Sequence, residues 1–391
     1  MNLIDRPFYT EKLLAYTQKN EIKILTGVRG VGKSSILNLF RQMLLTRGID
    51  ENNIIRIDLE SIEFCFTTNS TALYEFINNK INKSQKFYLL IDEVQRIQDW
   101  QMVITALKAD FNIDIYISSS GSNLITQEFC QQLNHKPLEI HILPLSFKEY
   151  RNFYQTNDSM NIDELFSNYL RLGSMPVDFE HLRNTFFSTM AQDIFANNKI
   201  ADNSMMILLT KLLFTEMGKV HSFNSISKLL SEIIEKPPAV RTIENYVKML
   251  VDSNLFYCVP VFDIKNNYSL TRYAKYYPVD LGFYSLIMGE HDLSDIHILE
   301  SVVYFELLRL GVKVSTCKVG NKKVAFLAES NDNKIYVQVL NSLTDNAKDI
   351  FIPLRSINDH YSKWILTIDK VYSHSEDGIR ISNIIDFLLE E

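Results

Sequence analysis

Short apolar runs alternate with segments of helical spacing through the first 150 residues. Between the runs, apolar residues recur every three or four positions, as at Trp100, Val103, Ile104 and Leu107, and predict helices. Strands separated by helices of this length indicate right-handed βαβ units and a mainly parallel sheet covered on both faces. The expected fold class is therefore α/β. The predicted strands, all short runs rich in apolar residues, are 22–26, 54–57, 87–91, 113–117 and 138–143.

The pattern changes after this region. Spacing is helical from 146 to about 215, and two short helical segments at 223–230 and 241–250 then precede a strand-like run at 255–261. Two short helices followed by a β wing are typical of a winged helix-turn-helix. A last amphipathic helix at 299–308 precedes two predicted strands, which indicates a small α/β domain. We predict four domains, 1–150, 151–215, 216–287 and 288–391.

Composition excludes several classes of protein. The 391 residues include 24 Phe and 19 Tyr, too much apolar surface for a disordered chain. The four cysteines are scattered without a CxxC pair, so we expect reduced thiols and neither a zinc ribbon nor a redox motif. With no signal peptide and no uninterrupted apolar run of about 20 residues, we expect a cytoplasmic protein without a membrane partner.

A glycine-rich segment follows the first predicted strand and opens a predicted helix. Its pattern is G-x-x-x-x-G-K-[ST], which turns several backbone N–H groups toward one polyphosphate. Lys33 would reach the β- and γ-phosphates, Ser34 would hold Mg²⁺ and Ser35 could donate to the α-phosphate. The alternative is a glycine turn before an ordinary helix. Besides these three, the nucleotide-binding candidates are Gly27, Arg29, Gly30, Val31 and Gly32.

Two carboxylates end the third predicted strand, 59 residues after Lys33. The carboxyl end of a buried parallel strand delivers an acid to the edge where ligands gather in open α/β sheets. Asp92 would hold the Mg²⁺ shell, and Glu93 would act as general base toward the attacking water. The alternative is a solvated strand end that caps the next helix.

The fourth predicted strand ends in hydroxyl and amide side chains. We expect Ser120, and as second choice Ser122, to sense the γ-phosphate one strand from Asp92. The same residues are explained about as well by a polar loop that caps the helix from Leu124.

Several short sequence motifs make the chain resemble a known family. These are Arg6-Pro7-Phe8-Tyr9, Thr26-Gly27-Val28-Arg29, Ile57-Asp58-Leu59-Glu60, Ile91-Asp92-Glu93-Val94-Gln95-Arg96, Leu143-Pro144-Leu145-Ser146-Phe147, Tyr169-Leu170-Arg171-Leu172-Gly173 and Lys275-Tyr276-Tyr277-Pro278-Val279-Asp280-Leu281-Gly282. With them the chain resembles prokaryotic AAA-type P-loop ATPases that carry an uncharacterised, restriction-endonuclease-like C-terminal domain. The resemblance implies ATP binding, Mg²⁺-dependent hydrolysis to ADP and phosphate, and a homo-oligomer. The four domains become an ATPase core, a helical lid, a winged helix and that C-terminal domain.

The chain departs from the family at two positions. Gly30 replaces a second loop arginine, which leaves Arg29 alone. His135-Lys136 replaces a Gly-Arg pair that is a candidate arginine finger. Lys136 is therefore a catalytic candidate, but it lacks the guanidinium fork, which favours slow hydrolysis or a switch over a fast motor.

The downstream domains favour binding over catalysis. A nuclease site of this fold needs converging carboxylates and a lysine, but its positions hold Ala325 and Gln338. In the winged helix, 221–263, five acidic residues outnumber four basic ones, so packing against the ATPase core or against a partner protein is favoured over DNA binding. The leading hypothesis is an ATPase that acts as a conformational switch. The alternative is a non-catalytic, ATP-liganded module that binds DNA or protein.

Overall fold

The computed structural model describes residues 3–64, 67, 69–82, 85–121, 126–155, 161–175, 177–196, 198, 200–235, 238–289, 292–331, 333–344 and 350–390. They form two compact units. The first comprises Met1–Ile142 with Asp252–Asn254, and the second comprises Leu143–Val251 with Leu255–Glu391.

The first unit is a five-stranded parallel sheet with helices on its faces. Its strands are β1 (Lys23–Thr26), β2 (Ile54–Asp58), β3 (Phe87–Asp92), β4 (Ile113–Ser119) and β5 (Leu138–His141), in the spatial order β2-β3-β4-β1-β5. Its helices are α1 (Pro7–Ala15), α2 (Lys33–Thr46), α3 (Ser70–Asn78), α4 (Trp100–Asp110) and α5 (Gln127–Leu133). The predicted α/β class and parallel sheet are confirmed.

Burial explains why these runs form central strands. Every residue of β1, β3 and β4 is buried, as expected for strands covered on both faces. Helix α2 contributes the buried stripe Ile36, Leu37, Phe40 and Leu44, which has helical spacing. Because β4 lies between β1 and β3, the carboxyl ends of all three strands meet at one edge of the sheet.

The second unit combines helices with a mixed eight-stranded sheet. The sheet has the order β12-β13-β11-β10-β9-β8-β6-β7, so the hairpin of the predicted winged helix shares it with the predicted C-terminal domain. The four-domain division remains a prediction. The helices are α6 (Phe147–Gln155), α7 (Ile162–Leu172), α8 (Phe179–Ser188), α9 (Asn203–Thr215), α10 (Phe223–Ser231), α11 (Val240–Asp252), α12 (Leu281–Met288), α13 (Ile296–Arg309), α14 (Ile352–Arg355) and α15 (Ile384–Leu389), with a π-helical segment at Thr189–Phe195. The strands are β6 (Phe256–Asp263), β7 (Tyr268–Pro278), β8 (Lys313–Val319), β9 (Lys322–Glu329), β10 (Lys334–Leu340), β11 (Ser362–Thr367), β12 (His374–Glu376) and β13 (Ile379–Asn383).

Two of the sequence motifs that resemble the family are in contact inside the second unit. The buried carboxylate of Asp280 accepts hydrogen bonds from the backbone N–H and hydroxyl of Ser174 and from the N–H of Gly282. A Cβ on Gly173, where φ is +85°, would lie 2.1 Å from Asp280 Oδ1. Burial raises the pKa of Asp280 despite these donors. This contact gives both motifs a packing role, separate from the phosphate site.

Candidate functional site

Three glycines shape the loop between β1 and α2. Gly27, Gly30 and Gly32 have φ of +142°, +80° and +98°, where residues with a side chain are strained. A Cβ on Gly27 would also lie 2.4 Å from the backbone oxygen of Ile142, which follows β5. The loop therefore requires glycine at its first position for two separate reasons, and Gly32 caps the helix that begins at Lys33.

The ammonium group of Lys33 lies inside this loop. Its Nζ donates to the backbone oxygens of Gly27 and Val28, at 3.0 and 3.2 Å. The same atom lies 3.3 Å from Glu93 Oε1, and only 4% of Lys33 is exposed. The loop and the acidic end of β3 are thus in direct contact. A buried cation here is balanced by a carboxylate.

Glu93 follows β3 in a left-handed backbone conformation, with φ of +53°. This is uncommon for a residue with a side chain and marks a constrained position. Burial alone would raise the pKa of Glu93, but Lys33, the amide of Gln95 and Arg29 outweigh it, so the pKa lies below its usual range. Glu93 is therefore ionised at neutral pH.

Asp92 ends β3 and is 2% exposed. One carboxylate oxygen accepts a hydrogen bond from Ser118 of β4, and the other lies 3.2 Å from Arg56 Nη2 of β2. Arg56 is oriented in turn by Asn38 of α2, at 3.1 Å. The strands on both sides of β3 thus fix this carboxylate.

The oxygen donors at this edge fit a magnesium ion that is bound together with a polyphosphate. Ser34 offers an exposed hydroxyl in the first turn of α2, and Asp92 offers a carboxylate at the end of β3. Hydroxyl, carboxylate and phosphate oxygens are the hard ligands that Mg²⁺ prefers. Among the described residues no three His, Cys, Asp or Glu side chains group into a metal site. Phosphate oxygens and water would complete the octahedral shell.

A second ionic group borders the first. Arg29 of the loop donates to Glu60 at 2.6 Å, and Arg96 donates to the same oxygen at 2.6 Å. Arg29 Nη2 also lies 3.8 Å from Glu93 Oε2. The guanidinium of Arg29 is therefore close to both the catalytic candidate Glu93 and Glu60 after β2.

A buried histidine lies behind the loop. His141, the last residue of β5, has Nδ1 3.0 Å from the hydroxyl of Thr26. Burial, and then the charge of Lys33, lower the pKa of His141 to about 4. The ring is therefore neutral at physiological pH and adds no charge to the phosphate site.

The remaining candidates are placed differently. Ser120 is 1% exposed and its Oγ accepts a hydrogen bond from Gln95 at 3.1 Å, next to Glu93. Ser35 is half-buried in the first turn of α2. Ser122 and Leu124 lie outside the described residues. Lys136 is exposed and precedes β5, so it lies at the amino edge of the sheet, opposite Lys33.

The sequence assigned no role to three residues that contact this site. Gln95 and Arg56 contact the acidic pair directly. Ser118, one of the hydroxyl residues expected near Asp92 at the end of the fourth strand, also contacts it. Arg6, 3% exposed, donates to the Val31 backbone oxygen at 3.3 Å under the loop. The sequence did mark two of these residues, because Arg6 and Gln95 both lie within the motifs that carry the family resemblance. The contact between Arg56 and Asp92 joins positions 36 residues apart and has no local signature.

Comparisons with known proteins place this geometry in a family. Residues 19–151 match the AAA domain family, and residues 164–294 match a domain of unknown function (DUF8612). An uncharacterized protein of Haemophilus influenzae is 32% identical, over 99% of this chain and 99% of that protein. The chain therefore belongs to the same family as the Haemophilus influenzae protein, and its first unit carries an AAA-type, P-loop ATPase-like domain.

Two further comparisons are more distant. An uncharacterized protein of Methanocaldococcus jannaschii is 24% identical, over 84% of this chain and 77% of that protein. A Walker-type ATPase of Pyrococcus abyssi, known from a solved structure, is 15% identical with a TM-score of 0.46, over 73% of this chain and 96% of that one. In the described part of the chain, no helix has the length and apolar character needed to cross a membrane.

Proposed function

We propose that the protein binds ATP with Mg²⁺ and hydrolyses it slowly, as a conformational switch. The observation that carries this proposal is the contact of Lys33 Nζ with Glu93 Oε1 at 3.3 Å, at the edge where Asp92 ends β3. A buried lysine, positive-φ glycines and two acidic side chains in one place have no evident packing purpose. They suit a polyphosphate and its metal.

The contacts of Lys33 support an order of events. Without nucleotide, the Glu93 carboxylate is the anion beside Lys33. A γ-phosphate is a stronger anion for that ammonium, so it replaces the carboxylate and leaves Glu93 free to accept a proton. Lys33 and the loop N–H groups then bind and orient the phosphates. Ser34 and Asp92 would hold the metal, which supplies charge neutralisation of the phosphate oxygens.

Hydrolysis then needs one proton transfer at Glu93. The water oxygen forms a bond to the γ-phosphorus while the bond from that phosphorus to the β,γ-bridging oxygen breaks. The electron pair of the broken bond stays on ADP, and the water proton passes to the carboxylate of Glu93. Ser120, joined to Glu93 through Gln95, is the proposed sensor of the γ-phosphate.

The test compares binding with turnover. Glu93→Gln keeps the size of the side chain but removes the base, so phosphate release should fall about 100-fold or more while ATP affinity persists. Phosphate release and fluorescent-nucleotide titration measure the two quantities on the same sample. An exposed residue of the same unit, Glu11→Gln, is the matched control. Wild-type turnover in Glu93→Gln would remove Glu93 from the mechanism.

Lys136 fits catalysis only between chains. It lies at the amino edge of the sheet, so in this proposal it would act on the nucleotide of a neighbouring copy in a homo-oligomer. A lysine there supplies charge without a bidentate fork, consistent with slow hydrolysis. Mixing Lys136→Ala chains with Lys33→Ala chains tests this, because complementation restores activity only if sites are shared.

A second candidate function is a non-catalytic module that holds ATP as a structural ligand and binds DNA or protein. The observation that favours it is at the nuclease-like positions, where the Ala325 N–H donates to Gln338 Oε1 at 3.2 Å and neither residue is a carboxylate. We propose that 288–391 is an inactive restriction-endonuclease-like domain, 216–287 a winged helix and 151–215 a lid. A protein partner in the cytoplasm is favoured over DNA, and turnover assays separate the two candidates.

A further inference from the structure

The turn that follows Asp92 and Glu93 places the side-chain amide of Gln95 beside the proposed base. The chain makes one 3₁₀ turn at Val94–Arg96 directly after Glu93. That turn brings the Gln95 side chain back onto the carboxylate two residues earlier. Gln95 Nε2 donates to Glu93 Oε2 at 2.6 Å and to Ser120 Oγ at 3.1 Å.

The orientation of the amide follows from the charge of its neighbour. Glu93 is ionised, so the atom of Gln95 that faces it must be the donor nitrogen and not the carbonyl oxygen. One N–H therefore goes to the proposed base and the other to the proposed sensor.

The hydrogen bonds of this amide argue against a purely space-filling role. A leucine would fill a similar volume, but it would supply no donor to Glu93 Oε2 or to Ser120 Oγ. The amide is explained by what its nitrogen does.

We propose that Gln95 is the positioning residue of the ATPase site. It holds the Glu93 carboxylate in one orientation. Once the γ-phosphate has drawn Lys33 away, Gln95 and Arg29 remain beside Glu93 Oε2, at 2.6 and 3.8 Å. The hydrogen bond from Gln95 to Ser120 couples the orientation of the Glu93 carboxylate to the proposed γ-phosphate sensor. This inference rests on the proposed hydrolysis and assigns a task to a residue that the sequence patterns left without one.

The test uses two replacements of similar size and a matched control. Gln95→Leu removes both hydrogen bonds, and Gln95→Glu also places a second negative charge beside Glu93. The exposed Gln131→Leu on α5 is the control and should behave as wild type. ATP affinity should stay within about threefold in every variant, while kcat falls about 10- to 100-fold in the Gln95 variants.

The split between kcat and KM, together with the pH profile of the folded enzyme, distinguishes positioning from packing. A positioning role lowers kcat in both variants and leaves KM for ATP within about threefold of wild type, whereas a packing role lowers the folded fraction without changing the kcat of the folded enzyme. If wild type hydrolyses ATP and both folded variants keep its kcat, the inference is wrong and the proposed function stands. If wild type binds but does not hydrolyse ATP, the proposed function fails first.

Discussion

The two edges of the five-stranded sheet each contain a buried ion pair between a lysine and a carboxylate, but the pairs are built differently. At the amino edge, Lys23 is fully buried and contacts Asp114 at 2.6 Å, from adjacent strands. Its Nζ also donates to the Lys19 backbone oxygen, and Tyr116 donates to Asp114. At the carboxyl edge, Lys33 contacts Glu93 at 3.3 Å from a glycine loop.

The difference between the two ion pairs indicates which of them can exchange its carboxylate for a ligand. The carboxylate partner of Lys23, Asp114, belongs to the regular strand β4 and cannot leave without breaking the sheet. The partners of Lys33 are loop carbonyls and a glutamate that has other donors, Gln95 and Arg29, so a phosphate can replace them. The same type of lysine–carboxylate pair thus stabilises the fold at the amino edge of the sheet and forms part of a candidate binding site at the carboxyl edge.

The largest expected effect comes from breaking each pair on its lysine side. Lys23→Met leaves the buried Asp114 charge with the Tyr116 hydroxyl at 3.1 Å and the half-exposed Lys86 at 3.9 Å, and the free energy of unfolding should fall by about 3 kcal/mol. Lys33→Met should cost less, because Glu93 keeps the closer amide of Gln95, at 2.6 Å, together with Arg29. Urea denaturation of both variants measures the contrast. Equal losses would show that the two edges do not differ in this way.

A double variant sharpens this result. Lys23→Met combined with Asp114→Asn removes both charges, so no unpaired charge stays buried and much of the lost stability should return. The amide can still accept the hydrogen bond of Tyr116. Further destabilisation in the double variant would mean that packing, and not charge, dominates the amino edge.

The next effect concerns the loop backbone. Gly27→Ala meets both a φ of +142° and a contact of 2.4 Å with the Ile142 oxygen, so it should cost at least ~2 kcal/mol and weaken ATP binding. Gly48→Ala is the control, since its φ is +83° but its Cβ would meet nothing within 4 Å. It should cost only ~1 kcal/mol and leave ATP binding unchanged. Similar losses of ATP affinity in both would contradict the role of the loop.

The smallest effect is a pH dependence of stability at the carboxyl edge. The pKa of Glu93 is lowered in the folded chain, so its charged form stabilises the fold above the unfolded pKa, about 4.3. That contribution is lost as the pH falls through the folded pKa below that value. The stability difference between wild type and Glu93→Gln should therefore shrink as the pH is lowered from 6 to 3.5. A constant difference would contradict the lowered pKa.

The sequence supports the prediction of the core because the determining signals are local. The runs that form β3 and β4 are dominated by large apolar residues, as is typical of strands buried on both faces. The phosphate loop is equally local, since its glycines encode backbone angles at fixed spacing. Even the position of Lys136 follows from the sequence, because a residue before a parallel strand lies at the opposite edge from a loop that follows one.

Contacts between distant segments escape this reasoning. The contact of Arg56 with Asp92 depends on β2 lying beside β3, and that of Arg6 with Val31 on where α1 lies under the loop. The proposed role of Gln95 depends on the left-handed backbone conformation of Glu93. The presence of an acidic residue does not predict that conformation. The single sheet that joins β6 and β7 to β8–β13 also depends on pairing between segments far apart in the chain.

Calorimetric titration of ATP with Mg²⁺ into wild type and Lys33→Ala tests the central claim most directly. The account predicts saturable one-site binding by wild type and an affinity at least ~100-fold weaker in the variant, because the phosphates lose their buried cation. Unchanged affinity in Lys33→Ala, with the variant folded as wild type, would contradict the assignment of this loop and acidic edge as a nucleotide site.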